Sequence, residues 1–235
     1  MTLNGLSISN NSLTAMKLIG IAAMLIDHFN VFINPDYNQI LFEIGRIAFP
    51  LFALVLGYNL ARTPSDKIPK IMLRLLMFGI LATPIYIILS SGLQHWWPLN
   101  ILFILGLAPT IVYLLSLPTY NRWAVTARMT AIILFAVIGG LVDYLWLGPA
   151  LVFVVWRLFS GISAVESTIL QVLLLGLFGL LCVMNDSLAT LLVLPIIYLA
   201  IVTCQNIRLP RMKWFFYWFY LGHLVALLLI KTALY

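Results

Sequence analysis

The chain is a succession of apolar stretches, each close to the length that crosses a bilayer, with charges held mostly to the short gaps between them. A helix needs about 20 apolar residues, rising 1.5 Å each, to cross roughly 30 Å of hydrocarbon. With turns placed at Gly, Pro, Asn and charge clusters, spans are expected at about Leu13–Ile33, Ile40–Leu60, Ile68–Ser90, Pro98–Leu117 and Trp123–Val142. A shorter one follows near Pro149–Phe159, then three more near Thr168–Met184, Leu188–Cys204 and Trp214–Leu234. The expected fold is all-α, a polytopic transmembrane helical bundle of about nine spans (eight to ten) forming a single domain over residues 1–235.

Composition excludes the soluble classes. Of the 235 residues, 63% are hydrophobic and 9% charged, with a mean hydropathy of +1.09, against about 25% charged in a soluble domain. Too little polar surface is left to cover a water-soluble core. The net charge of +6 does not imply nucleic acid, because basic residues gather in short connections of the kind that stay in the cytoplasm. With a cytoplasmic N-terminus, that side holds eleven cations: Lys17, Arg62, Lys67, Lys70, Arg74, Arg122, Arg128, Arg157, Arg208, Arg211 and Lys213. The opposite side holds Asp36, Asp143, Asp186 and a single cation, Lys231. The polar start of the chain has no cleavage signature, so the first helix is read as a retained span. Cys182 and Cys204 lie in apolar runs without a His or Cys at ligand spacing, which points to packing and to no metal site.

Some ionisable residues fall inside the apolar runs. Asp27 and His28 lie in the first span, Glu43 and Arg46 in the second and His223 in the last, while His95 beside Trp96 and Trp97 reads as an interface residue. A charge at mid-membrane costs at least about 2.5–3.5 kcal/mol and marks function by default. Counted outward from a turn near Asp36–Tyr37, His28 and Arg46 are almost equidistant, so a helical hairpin sets them at nearly one depth. Glu43 and Arg46 share a helical face. Adjacent Asp27 and His28 point about 100° apart and face different neighbours. Gly20, on the stripe of Lys17, Met24 and Asp27, leaves room for another helix or a ligand.

Such a cluster offers a base, an anion and a cation able to hold an oxyanion, which suits acyl transfer. It suits a proton relay in a transporter equally well, and spacing alone does not separate the two. The cations from Arg62 to Arg74 could receive a polyphosphate such as coenzyme A, or serve only to set topology. A non-enzymatic scaffold is a further alternative.

The segments KLIGIAAMLIDH (Lys17–His28) and GRIAFPLFAL (Gly45–Leu54) resemble the two N-terminal signatures of the TraX family. RLLMFGILATPIY (Arg74–Tyr86), NILFILGL (Asn100–Leu107) and the aromatic stretch before His223 follow in the family's order, while the family's Asp-Tyr-Gly region reads here as the looser DYLWLGP (Asp143–Pro149). The resemblance implies a membrane-embedded acetyltransferase of the bacterial inner membrane. It would move an acetyl group from acetyl-CoA, a co-substrate, to the N-terminal amine of processed F-type pilin during conjugative pilus biogenesis. Pilin, coenzyme A and membrane lipid are the implied partners. Placed on the topology above, it makes His28 the general base, oriented by Asp27 or by a neighbouring helix, and Arg46 the oxyanion or thioester-carbonyl ligand. His223 is the second acid–base candidate and Glu43 a positioner of Arg46. Lys17, Glu43, Arg74, Asn100 and Asp143 are expected in substrate or acetyl-CoA binding.

Overall fold

The computed structural model describes residues 8–90, 97–120, 122–210 and 214–234; His95, Arg211 and Lys213 lie outside them. Among the described residues the chain is helical throughout, with one isolated backbone bridge between Leu99 and Val142. The helices are α1 (Asn10–Phe32), α2 (Gln39–Gly45), α3 (Ala48–Ala61), α4 (Ile68–Leu89), α5 (Ile101–Leu115), α6 (Ala124–Ile138), α7 (Leu147–Leu158), α8 (Ala164–Asn185), α9 (Val193–Cys204) and α10 (Phe215–Leu234). Short 3-10 turns at Ser65–Lys67 and Leu188–Leu192 lead into α4 and α9.

Five rods are long and apolar enough to cross a membrane: Asn10–Phe32, Gln39–Ala61, Ser65–Leu89, Ala164–Asn185 and Phe215–Leu234. The apolar rods Ile101–Leu115, Ala124–Ile138, Leu147–Leu158 and Leu188–Cys204 are shorter. Each expected span thus has a helical counterpart among the described residues, but four do not reach full length. The physical reason is clearest after α6. The run expected to continue to Val142 leaves the helix at Gly139, and residues 139–146 form a turn in which Tyr144 and Leu145 take left-handed φ values of 56° and 48°. The span expected at Ile40–Leu60 is also interrupted, at Arg46 and Ile47 between α2 and α3. Pro50, in the first turn of α3, has no N–H to offer the Arg46 carbonyl, so the ladder does not run through.

Local chemistry sets the ends. The Ser9 hydroxyl accepts the Ser12 N–H at 3.0 Å and starts α1, and Ser163 does the same for Glu166 at 3.3 Å to start α8. Lys231, the lone cation expected on its side, donates to the Leu89 carbonyl at 2.8 Å and so caps α4. The core is built where α3 packs between α1 and α7, with α4 against α5 and α10. Phe49, Leu51, Leu60, Phe78, Ile104, Leu151 and Leu224 are among its fully buried side chains. Gly20 does admit a neighbour: the Phe52 ring of α3 lies 3.1 Å from the position a β-carbon would take. The outward face of α6, with Val125, Ile132, Ile133 and Val137, is exposed and apolar, as a lipid-facing surface is.

Candidate active site

The hairpin of α1 and α2 is locked by one buried side chain. Asn30, 1% exposed, accepts the Asn38 N–H at 2.7 Å and donates to the Asn38 carbonyl at 2.9 Å. Asn38 then caps α2 by accepting the N–H groups of Ile40 and Leu41. This fixes the register of the two arms and brings Asp27 level with Arg46, whose Nη2 meets the Asp27 carboxylate at 2.5 Å. Gly45 makes the approach possible, because a β-carbon there would collide with the Asp27 side chain.

Arg46 is held on several sides. It caps α2, its Nε faces the Phe42 carbonyl at 3.4 Å, and its guanidinium lies 4.3 Å from the centre of the Phe42 ring. Its Nη1 donates to the Tyr144 hydroxyl at 3.4 Å. That phenol therefore accepts from Arg46 and keeps its own proton to donate elsewhere. Tyr144 is buried, with its ring stacked on Phe49 at 4.2 Å. Glu43, expected to position Arg46, does not pair with it. It accepts instead from Gln39 at 2.8 Å and from the Ser187 hydroxyl. The helical-face argument fails because α2 ends at Gly45 and Arg46 folds back as its cap; Asp27 takes the positioning contact.

His28 faces the other way, towards α10. Its Nδ1 lies 2.8 Å from Nε2 of His223, whose own Nδ1 is 3.1 Å from the Phe219 carbonyl. The ring planes are within 16° and the centroids 5.0 Å apart. That separation is close to the bond plus two ring radii, so the imidazoles meet edge to edge. A carbonyl only accepts, so His223 carries its proton on Nδ1 and, when neutral, accepts at Nε2. His28 must then donate from Nδ1, which leaves its Nε2 with the free lone pair. Asp27 does not orient His28; the neighbouring helix does.

Asp27, His28, Arg46, Asp143, Tyr144, Tyr86 and Tyr220 line one cavity of about 190 Å³, closed by Met24, Phe32, Phe49 and Ile101. Asp143 is placed by the 139–146 turn. Its N–H donates to the Leu99 carbonyl at 3.2 Å, and one carboxylate oxygen accepts the Tyr144 N–H at 3.0 Å. A second, larger cavity of about 600 Å³ is enclosed by α1, α3, α4, α5 and α10 and shares Met24, Ile101 and Tyr220 with the first. Lys17 and Arg74 line it, and each rests on an aromatic ring at the start of α10, Lys17 on Phe216 and Arg74 on Trp214. Its other polar residues are Asn10 and Thr14 at the beginning of α1, Asn59 near the end of α3, Thr63 just beyond it, and Tyr217 of α10.

The structure therefore brings Asp27, His28, Arg46, Asp143 and His223 together, and sets Lys17 and Arg74 along an adjoining cavity. Asn100 lines neither cavity. It is a buried helix cap, accepting the Leu102 N–H and donating to the Gly79 carbonyl and the Thr83 hydroxyl. An Asn directly before an apolar run is the signal for that role. Tyr144 was not among the expected site residues, although it stands beside Asp143. Tyr86 and Tyr220 sit at the ends of segments already singled out for their motifs.

Chemically, a lone-pair nitrogen, a fixed guanidinium and a phenol with a free proton converge on one small cavity, the elements of a base and an oxyanion hole. The TraX protein family model matches residues 12–231. The protein TraX of Escherichia coli is 31% identical over 217 residues, covering 90% of this chain and 84% of that protein. The protein of the same name from strain K12 is 29% identical over the same shares. An uncharacterised protein of Rickettsia prowazekii is 29% identical over 133 residues, 55% of this chain and 48% of that one. No solved structure matches. A match over nearly the whole length, with the residues of this cavity inside it, makes the chain a member of the TraX family.

Proposed function

We propose that the chain is a multi-pass acetyltransferase of the bacterial inner membrane, with its N-terminus in the cytoplasm, that transfers an acetyl group from acetyl-CoA to the N-terminal amine of processed F-type pilin. The observation that carries this reading is the arrangement of His28, Arg46 and Tyr144 around the inner cavity, which meets the larger cavity lined by Lys17 and Arg74. The cations lie on the basic side of the bundle, where a cytoplasmic donor arrives. From Lys17 to His28 the helix rises about 16 Å at 1.5 Å per residue, a distance suited to the extended pantetheine arm of coenzyme A. The donor's phosphates stay by Lys17 and Arg74 while its thioester reaches the inner cavity.

There the amine nitrogen attacks the thioester carbonyl. A C–N bond forms, the C–S bond breaks, and the carbonyl oxygen becomes negative in passing. Arg46, held by Asp27, and the Tyr144 O–H stabilise that oxygen. His28 Nε2 takes a proton from the nitrogen and returns one to the departing sulfur, while His223 holds the imidazole in the tautomer that makes this possible. Because the α-amine has a pKa near 7.7–8.0, the demand on the base is modest and positioning contributes much of the rate.

The test is to coexpress the protein with a pilin, isolate membranes and weigh the pilin by mass spectrometry. Wild type adds one acetyl group and His28→Ala lowers the yield by about a hundredfold or more. Pilin without an acetyl adduct above background, or undiminished acetylation by His28→Ala, sinks the mechanism.

A further inference from the structure

We propose that Asp143 recognises the acceptor as an ammonium ion, so that the pocket selects a primary amine over a hydroxyl of the same shape. The inference rests on the acetyl-transfer reading above and deepens it. Four residues that can carry charge face the inner cavity: Asp27, His28, Arg46 and Asp143. Asp27 and Arg46 neutralise each other at 2.5 Å. His28 commits its Nδ1 to His223. The remaining polar groups on the wall, from α4, α10 and the turn itself, are the phenols of Tyr86, Tyr220 and Tyr144.

Asp143 is attracted by Arg46 but has no cation of its own, since that guanidinium is already paired with Asp27. Among the described residues it forms no ion pair, and its carboxylate accepts only the Tyr144 N–H. A carboxylate beside an otherwise balanced cavity is costly until a cation meets it. The turn that presents it is itself unfavourable, since Tyr144 holds a left-handed φ of 56° that non-glycine residues seldom adopt. A hydroxyl acceptor leaves the carboxylate uncompensated. An ammonium answers it with a charge-assisted hydrogen bond, and the α-amine arrives mostly in that form at neutral pH. In the reaction the nitrogen loses two protons: one goes to the departing thiolate, giving coenzyme A thiol, and the other is released to solvent. Asp143 holds the nitrogen until His28 has taken the first.

The experiment titrates the purified full-length protein in detergent with two peptides of the pilin N-terminal segment. One ends in a free α-amine and the other carries an α-hydroxyl in its place. Wild type is expected to bind the amine peptide about ten- to a hundredfold more tightly, the range of a hydrogen bond to a charged group. Asp143→Asn abolishes that preference and Asp143→Glu keeps part of it. Equal binding of both peptides by wild type overturns the proposal, as does an Asp143→Asn protein that retains the preference. The comparison on wild type needs no variant, so misfolding of a mutant leaves it decisive. Acetyl transfer measured in parallel separates the two readings. An amine preference without any acetylation removes the enzyme and leaves an ammonium site, whereas acetylation by a protein that binds both peptides equally removes only the role of Asp143.

Discussion

Replacing Gly45 by Ala puts a β-carbon into the space that the Asp27 side chain occupies. The obstacle includes the Asp27 β-carbon as well as its carboxyl, so a change of rotamer does not relieve it. The arms of the α1–α2 hairpin have to separate, and Asn30 resists at the turn. Overpacking of this kind costs about 1–3 kcal/mol, against a gain of about 1 kcal/mol from Ala over Gly in a helix. The net loss of stability is therefore small, about 0–2 kcal/mol. Activity is the sensitive readout, because Asp27 moves off Arg46, and a misplacement on the order of 1 Å at a reacting centre costs about a hundredfold.

Gly222→Ala is the control. Gly222 precedes His223 in α10, and a β-carbon there meets open space. Both proteins are assayed for pilin acetylation by mass spectrometry, with thermal unfolding in detergent recorded alongside. Gly45→Ala is expected to fold and to lose about a hundredfold in rate, while Gly222→Ala stays within about twofold of wild type. A Gly45→Ala protein acetylating at the wild-type rate refutes the link between the close approach of Asp27 and the function of Arg46. Equal losses in both refute the steric argument itself.

Tyr144→Phe keeps the ring on Phe49 and deletes the O–H, so kcat should fall by about a hundredfold with the KM for acetyl-CoA unchanged; a drop confined to KM counts against the oxyanion role. Lys17→Ala with Arg74→Ala should raise the KM for acetyl-CoA about tenfold or more and leave the pilin KM alone, which steady-state kinetics on membranes decides. Asn30→Ala removes both contacts to the Asn38 backbone and should cost about 1–2 kcal/mol, seen as a lower unfolding temperature.

The parts of this molecule that could be read from its sequence are those governed by local periodicity. Apolar runs placed every rod, and counting from Asp36–Tyr37 put the Asp27–His28 pair level with Arg46, because a short hairpin is symmetric about its turn. The adjacency of Asp27 and His28 also implied two different neighbours, which proved to be Arg46 and His223. Glu43 and Arg46 do not pair because α2 stops at Gly45, between them. Asn100 stands directly before an apolar run, and the contact it makes, satisfying the start of α5, follows from that position. Tyr144 left no periodic signal, since its place depends on a left-handed turn rather than a helix or strand. His28 and His223 are 195 residues apart, and no spacing rule connects them.

In the proposed reaction, the pairing of those two histidines also bears on how one cavity would serve a donor and an acceptor from opposite sides of a membrane. His223 and Tyr220 belong to α10, whose first turn carries Phe216 under Lys17, with Trp214 under Arg74 directly before it. One helix thus lines the cavity proposed for the donor, contributes Tyr220 where the two cavities meet, and supplies the partner that sets the tautomer of His28. The groups proposed to hold the oxyanion and the acceptor come from the α1–α2 hairpin, locked by Asn30, and from the 139–146 turn, bridged to Leu99. α10 meets the hairpin through the His28–His223 bond, and the hairpin meets the turn through the Arg46–Tyr144 contact. A shift of α10 on binding the donor would reach His28 directly while leaving Asp27, Arg46 and Asp143 in place. In that arrangement the proposed base would take its working tautomer from α10, and the proposed oxyanion ligands and acceptor carboxylate would be set in advance by the hairpin and the turn.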